Sequence, residues 1–179
     1  MPRPLKITGR TSSMTNAFVN GIVPYRLPSE AEVIEVLQIL ELDADDLRCA
    51  FCGNQSTEWD HFRPLISGKR PTGFITEIAN LVPACSKCNQ SKSGAHWRTW
   101  MTGRAPQSPA SRGVPDLDVR VQRLERFESW REPTKFDFVA AVGAELWDRH
   151  WANWEKLTAL MHECEVTAKE LRTIIQSRA

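Results

Sequence analysis

The chain has 179 residues, of which 41% are hydrophobic, and a formal net charge of +1. That length suits about one domain with an appended part and is enough to bury a core. No run reaches the roughly 18 apolar residues of a membrane span, and Met1-Pro2-Arg3-Pro4-Leu5-Lys6 lacks the apolar stretch of a signal peptide, so a cytoplasmic protein is expected.

Residues 1–28 contain Pro2, Pro4, Pro24 and Pro28 and little periodicity, and read as a basic arm. Ser29-Glu30-Ala31-Glu32 is a capping-box pattern, and Val33, Ile34, Leu37 and Leu40 follow at helical spacing to a helix end near Leu42. The acidic turn Asp43-Ala44-Asp45-Asp46 comes next. Short strands are expected over residues 56–62 and 79–84, separated by the loop Ser67-Gly68-Lys69-Arg70-Pro71-Thr72-Gly73. After Cys88 a helix carries Trp97, Trp100 and Met101 and stops at Gly103 and Pro106. Residues 103–116 are rich in proline, glycine and serine and read as a linker. The remainder reads as helical: 117–131, a long helix over about 136–163, and a short one over 167–177. The expected organisation is therefore an arm (1–28), a core (29–102), a linker (103–116) and a helical region (117–179).

The charge is segregated. Arg48 is the only basic residue in 28–60, among Glu30, Glu32, Glu35, Glu41, Asp43, Asp45, Asp46, Glu58 and Asp60. From 61 to 104 the balance reverses, with Arg63, Lys69, Arg70, Lys87, Lys92, Arg98 and Arg104 against Glu77 alone. A basic block beginning beside candidate chemistry suits a polyanion.

That chemistry lies between two Cys-x-x-Cys pairs, Cys49 with Cys52 and Cys85 with Cys88. Four thiolates in paired knuckles can close a tetrahedral zinc site with no open position, which makes the metal structural. Cys164 stands apart in a helical pattern, and metal-bound thiolates in a reducing compartment account for the odd count better than disulfides. Between the knuckles, Asp60 precedes His61. Neighbours on a strand face opposite sides, so the carboxylate and the imidazole are expected to do separate jobs. A neutral imidazole can take a proton from water, and a carboxylate suits Mg²⁺. Asn89 is either a second oxygen ligand or a helix cap, and Asn80 either a functional amide or a buried turn residue. Trp147, Trp151 and Trp154, at helical spacing, form a packing face within the chain or against a second subunit, or else stack on bases.

Cys-x-x-Cys, Asp-His, then Asn-Leu-Val-Pro-Ala-Cys-x-x-Cys-Asn-x-x-Lys resembles the HNH nuclease motif in its zinc-knuckle form, over roughly residues 49–102. The resemblance implies an α+β fold: a ββα-metal core of two antiparallel strands and a helix, stapled by a four-cysteine zinc site, with an N-terminal helix and a helical C-terminal region. It implies His61 as general base, Asp60 as metal-binding acid, Asn80 as the amide that orients the histidine-bearing loop, and Asn89 where many members have the last histidine. The implied cofactors are one structural Zn²⁺ and a catalytic Mg²⁺ replaceable by Mn²⁺, with no small-molecule cofactor. Arg63, Lys69, Arg70, Lys87, Lys92 and Arg98 are candidate phosphate contacts. The layout is similar to HNH-class type II restriction endonucleases, so duplex DNA, no membrane and a homodimer through the C-terminal helices are expected. A homing or phage nicking endonuclease, or a non-catalytic zinc-dependent DNA-binding module, is the alternative.

Overall fold

In the computed structural model, residues 4–178 are described; Met1, Pro2 and Arg3 of the expected arm lie outside them. In chain order the elements are α1 (Thr11–Asn20), α2 (Glu30–Ile39), β1 (Glu58–His61), β2 (Ile66–Ser67), β3 (Arg70–Pro71), β4 (Leu81–Ala84), α3 (Ser86–Lys92), α4 (Trp97–Met101), α5 (Leu117–Trp130), α6 (Phe138–Val142) and α7 (Ala144–Gln176). Helices and two small antiparallel pairs, β1 with β4 and β2 with β3, make the fold α+β, as expected.

The chain divides into two units, Val23–Phe136 and a second made of the N-terminal part through Ile22 with Asp137 onward. This differs from the four-part division expected from composition. The stretch 103–116 is not a free tether. Ser108 is completely buried and bonds the Gly103 carbonyl at 2.7 Å, and Ala110 N donates to Met101 O at 3.1 Å. Proline and glycine mark irregular backbone, but they do not say whether that backbone packs.

In the Val23–Phe136 unit, α2 starts at the capping box read from sequence: Ser29 Oγ accepts from Glu32 N at 3.3 Å, and the Glu32 carboxylate accepts from Ser29 N at 3.0 Å. Val36 and Leu40 turn inward to meet Phe51, Phe62, Val82, Trp97, Trp100, Met101, Leu124 and Phe127 in one core that also holds the four knuckle cysteines. Phe62, one residue past β1, anchors it. Its ring stacks on Trp97 at 5.2 Å and meets Phe127 edge-on at 5.1 Å. Such aromatic contacts add about 0.5–1.5 kcal/mol each beyond area burial. The core thus draws α5 into the same unit as the sheet and α3.

The second unit is built on α7, which packs against α1. Trp151 and Trp154 are buried, and Trp154 Nε1 donates to Thr15 Oγ1 at 3.2 Å. His150 Nε2 lies 3.2 Å from the Phe18 carbonyl, and Trp147 stacks on Phe138 at 5.4 Å. The tryptophan stripe is therefore a packing face within the chain. Residues 7–20, expected as irregular arm, form a 3-10 turn (Ile7–Arg10) and α1. That helix was hidden because Thr11-Ser12-Ser13-Met14-Thr15-Asn16 has weak helix propensity and few apolar residues; its packing against α7 overrides propensity. The two helices expected over 136–163 and 167–177 are also redrawn. Gly143, with φ +81°, separates α6 from α7, whereas 163–167 holds neither glycine nor proline and the helix runs through.

Candidate active site

The first knuckle is a tight turn after Arg48. Gly53 N donates to Cys49 O at 2.8 Å, and Gly53 sits at φ +75°, a conformation in which glycine carries no Cβ penalty. Ala50 N donates to Pro83 O at 2.8 Å, which ties this knuckle to β4. The second knuckle starts α3, with Asn89 N bonded to Cys85 O at 3.0 Å. The four sulfurs are buried and lie within 4.8 Å of one another, with Cys52 and Cys85 at 3.7 Å. A tetrahedral zinc with bonds near 2.3 Å needs sulfurs about 3.8 Å apart, so the set fits that ion. Their electrostatics agree. Hydrogen bonds from Cys49 and Cys88 hold the Cys52 thiol far below its ordinary range, while sharing a proton with Cys52 pushes Cys49 up to about 12. Only a cation lets all four ionise together. Arg112, from the stretch read as a linker, donates from Nη2 to Cys88 Sγ at 2.9 Å and adds positive charge to a thiolate cluster. No motif marks that arginine.

β1 and β4 pair antiparallel, with Asp60 opposite Val82 and His61 opposite Leu81. Period two divides β1 into Glu58 and Asp60 on one face and Trp59 and His61 on the other. Asp60 is 5% exposed and Lys92 1%. Lys92 Nζ lies 3.0 Å from Asp60 Oδ2 and donates to the His61 carbonyl at 2.8 Å. Asp60 Oδ2 is held by charge alone: it is buried without an aligned hydrogen bond. Burial raises the Asp60 pKa above its ordinary value, against the pull of Lys92 and with a further push from Glu58. The expectation that Lys92 contacts a phosphate is therefore corrected: its ammonium is spent inside, where a buried charge needs a partner.

Asn89, half-buried on α3, donates from Nδ2 to Glu58 Oε2 at 2.7 Å. An ionised carboxylate only accepts, so the amide orientation is determined and Oδ1 is turned away from Glu58. Sequence reading passed over Glu58, although its position two residues before Asp60 places it on the same strand face. Asn80 is completely buried. Its Oδ1 accepts from Arg63 N at 2.7 Å, and its Nδ2 donates to Arg63 O and Ile75 O, each at 3.1 Å. Phe62 N donates to Asn80 O at 2.9 Å. These bonds pin the two residues that follow His61.

His61 is half-buried, and its Nε2 lies 2.9 Å from Thr76 Oγ1. Burial, helped by the charge of Lys92, lowers its pKa to about 4, so the imidazole is neutral at pH 7. Of the other basic candidates, Arg63 is engaged by Glu128 and His96, and Arg98 by Glu125. Lys69 and Lys87 are exposed, and Arg70 donates to the Lys69 carbonyl at 3.2 Å.

Glu58, Asp60 and a neutral His61 thus lie along one strand, with Asn89 bonded to Glu58 and Lys92 paired with Asp60. Residues 47–94 match the family model for HNH endonuclease and form that domain, with the four cysteines as its possible zinc site. No curated protein and no solved structure matches the chain. Among the described residues no helix is long and apolar enough to cross a membrane.

Proposed function

We propose, from the HNH endonuclease domain at residues 47–94, that this chain hydrolyses phosphodiester bonds in duplex DNA with a divalent metal ion, as a type II restriction endonuclease. The observation that carries the reading is a neutral His61 next to the buried Asp60 on one strand, with Asn89 bonded to Glu58 on the Asp60 face. Zinc binding by the cysteines needs none of these three, so a purely structural module leaves them unexplained.

Asp60 and Asn89 would hold the catalytic Mg²⁺. The fit rests on a buried carboxylate oxygen that has the charge of Lys92 beside it but no aligned hydrogen bond, and on an amide oxygen turned away from Glu58. When bound, the ion supplies positive charge to the phosphoryl and leaving oxygens. The chain's own residues do the rest. His61 accepts the proton of the attacking water as the water oxygen bonds to phosphorus and the bond to the 3′ oxygen breaks. Asn80 keeps the backbone beyond His61 fixed, which holds the base in position. Lys69, Arg70 and Lys87 take phosphates. Arg98 joins them by exchanging the exposed Glu125 for DNA, since exposed ion pairs are worth only about 0–1 kcal/mol, and Arg63 by exchanging the half-buried Glu128. A plasmid-cleavage assay with Mg²⁺, with and without His61→Ala, tests the reading; cutting by that variant at the wild-type rate overturns it.

A duplex break at a palindrome calls for two copies, hence a homodimer. A nicking or homing-type enzyme is the second reading. It is favoured by the burial of Trp151 and Trp154 within their own chain, which removes the surface first expected to receive a second copy.

A further inference from the structure

We infer that Thr76 is the positioning residue for His61: its hydroxyl accepts a hydrogen bond from Nε2–H, which leaves Nδ1 as the ring atom that takes the proton. The inference rests on the reading of His61 as general base. The contact itself is 2.9 Å from Nε2 to Oγ1.

A neutral imidazole carries one N–H and one lone pair, and a threonine hydroxyl can meet either. With Nε2 occupied by Thr76, Nδ1 is the ring nitrogen left for water. A base needs its lone pair there, so the hydrogen sits on Nε2 and Thr76 is the acceptor. The opposite assignment puts N–H on Nδ1 and leaves no proton acceptor at the site. A hydrogen bond to the second ring nitrogen is the general means of choosing a histidine tautomer.

Thr76 is unusually well held for a residue outside regular structure. Its N donates to Pro24 O at 3.1 Å, and its carbonyl accepts from Arg26 N at 2.9 Å, a parallel bridge of Tyr25 with Thr76. On either side, Ile75 O accepts from Asn80 Nδ2, and the buried Glu77 accepts from Arg26 Nη1 at 3.0 Å and from Thr134 N at 2.6 Å. Branching at Cβ restricts the rotamer of the hydroxyl as well. The short stretch 24–26, read from sequence as part of an arm, is thereby built into the support of the base. None of these contacts involves DNA, so their loss should act on turnover and not on substrate affinity.

The test uses the full-length, zinc-loaded chain labelled with ¹⁵N-histidine, without DNA. Two-bond proton–nitrogen spectra report which ring nitrogen of His61 carries the hydrogen, with His61→Gln assigning the signals. The wild type should show Nε2–H alone; a hydrogen on Nδ1 would refute the inference without any variant. Thr76→Val keeps the shape and removes the hydroxyl. It should give mixed tautomers and a fall in kcat on the order of 10²-fold, the scale of a misplaced reacting group, with KM unchanged. Thr76→Ser should restore both the spectrum and the rate. A Thr76→Val protein with wild-type tautomer and wild-type kcat overturns the proposal. Because the spectrum needs no cleavage, a chain that shows Nε2–H but never cuts DNA defeats the nuclease reading and leaves the hold of Thr76 on the ring standing.

Discussion

The two units of the chain are stabilised in different ways. The Val23–Phe136 unit surrounds its site with completely buried side chains, Phe51, Phe62, Trp97, Leu124 and Phe127 among them, and adds a four-cysteine cluster. The unit built on α7 has a thin interior, mainly Val19, Phe138, Trp151 and Trp154, and from Leu160 onward α7 exposes Leu160, Val166, Leu171, Ile174 and Ile175. The proposed chemistry, which depends on sub-ångström placement, falls in the unit whose backbone is pinned from many sides. Packing density, more than amount of regular structure, separates the two: the longest helix is in the unit with the smaller core.

The contrast is broken most severely at the metal. Cys88→Ser should abolish the cooperative unfolding transition of the nuclease unit while far-UV circular dichroism still reports α7. Structural zinc sites are worth about 10–16 kcal/mol in small zinc-binding peptides. Elemental analysis should find about one zinc per chain in the wild type and none in the variant; equal melting of both would remove the staple from the account. His61→Ala comes next, with cleavage down about 10²–10⁴-fold and melting unchanged, read from plasmid nicking beside a thermal scan. Because burial and Lys92 hold His61 near 4, below its ordinary value, stability it contributes as a neutral group is present above that ordinary value and is lost as pH falls through about 4.

On the other side of the comparison, Trp154→Ala should cost about 3–5 kcal/mol. It removes a buried indole and the Thr15 bond, and chemical denaturation followed through α7 helicity measures the loss. A cost below about 1 kcal/mol would show that the thin interior is not what holds that unit together. Glu58→Ala should act most mildly, leaving folding unchanged and raising the Mg²⁺ concentration for half-maximal cutting by about tenfold, because Asn89 loses the partner that turns its amide. A metal titration unaltered by the substitution would separate Glu58 from the metal site.

Much of the nuclease core was legible in the sequence. The knuckle spacing, the two strands and the capping box on α2 are local patterns, and the structure has each in place. What escaped depends on non-local contacts. Lys92 reads as one more surface cation in a basic block, and only the fold shows Asp60 beneath it. Thr76 and Arg112 belong to segments without periodicity, and nothing local says which distant group each touches. The tryptophans were readable as a packing face, but helical spacing does not tell an intramolecular neighbour from another copy. Helix α1 was invisible for the complementary reason: its residues favour helix weakly, and its partner lies more than 100 residues away in the chain.

The packing of Phe62 against Trp97 and Phe127 bears on what counts as the transplantable piece of this chain. The family signature ends at residue 94, before both aromatic partners. A graft confined to the signature would carry the four cysteines with Asp60, His61 and Asn89 but would leave the first residue after β1 facing water. The smallest portable cassette therefore extends through α5, although all of those extra residues lie beyond the family signature.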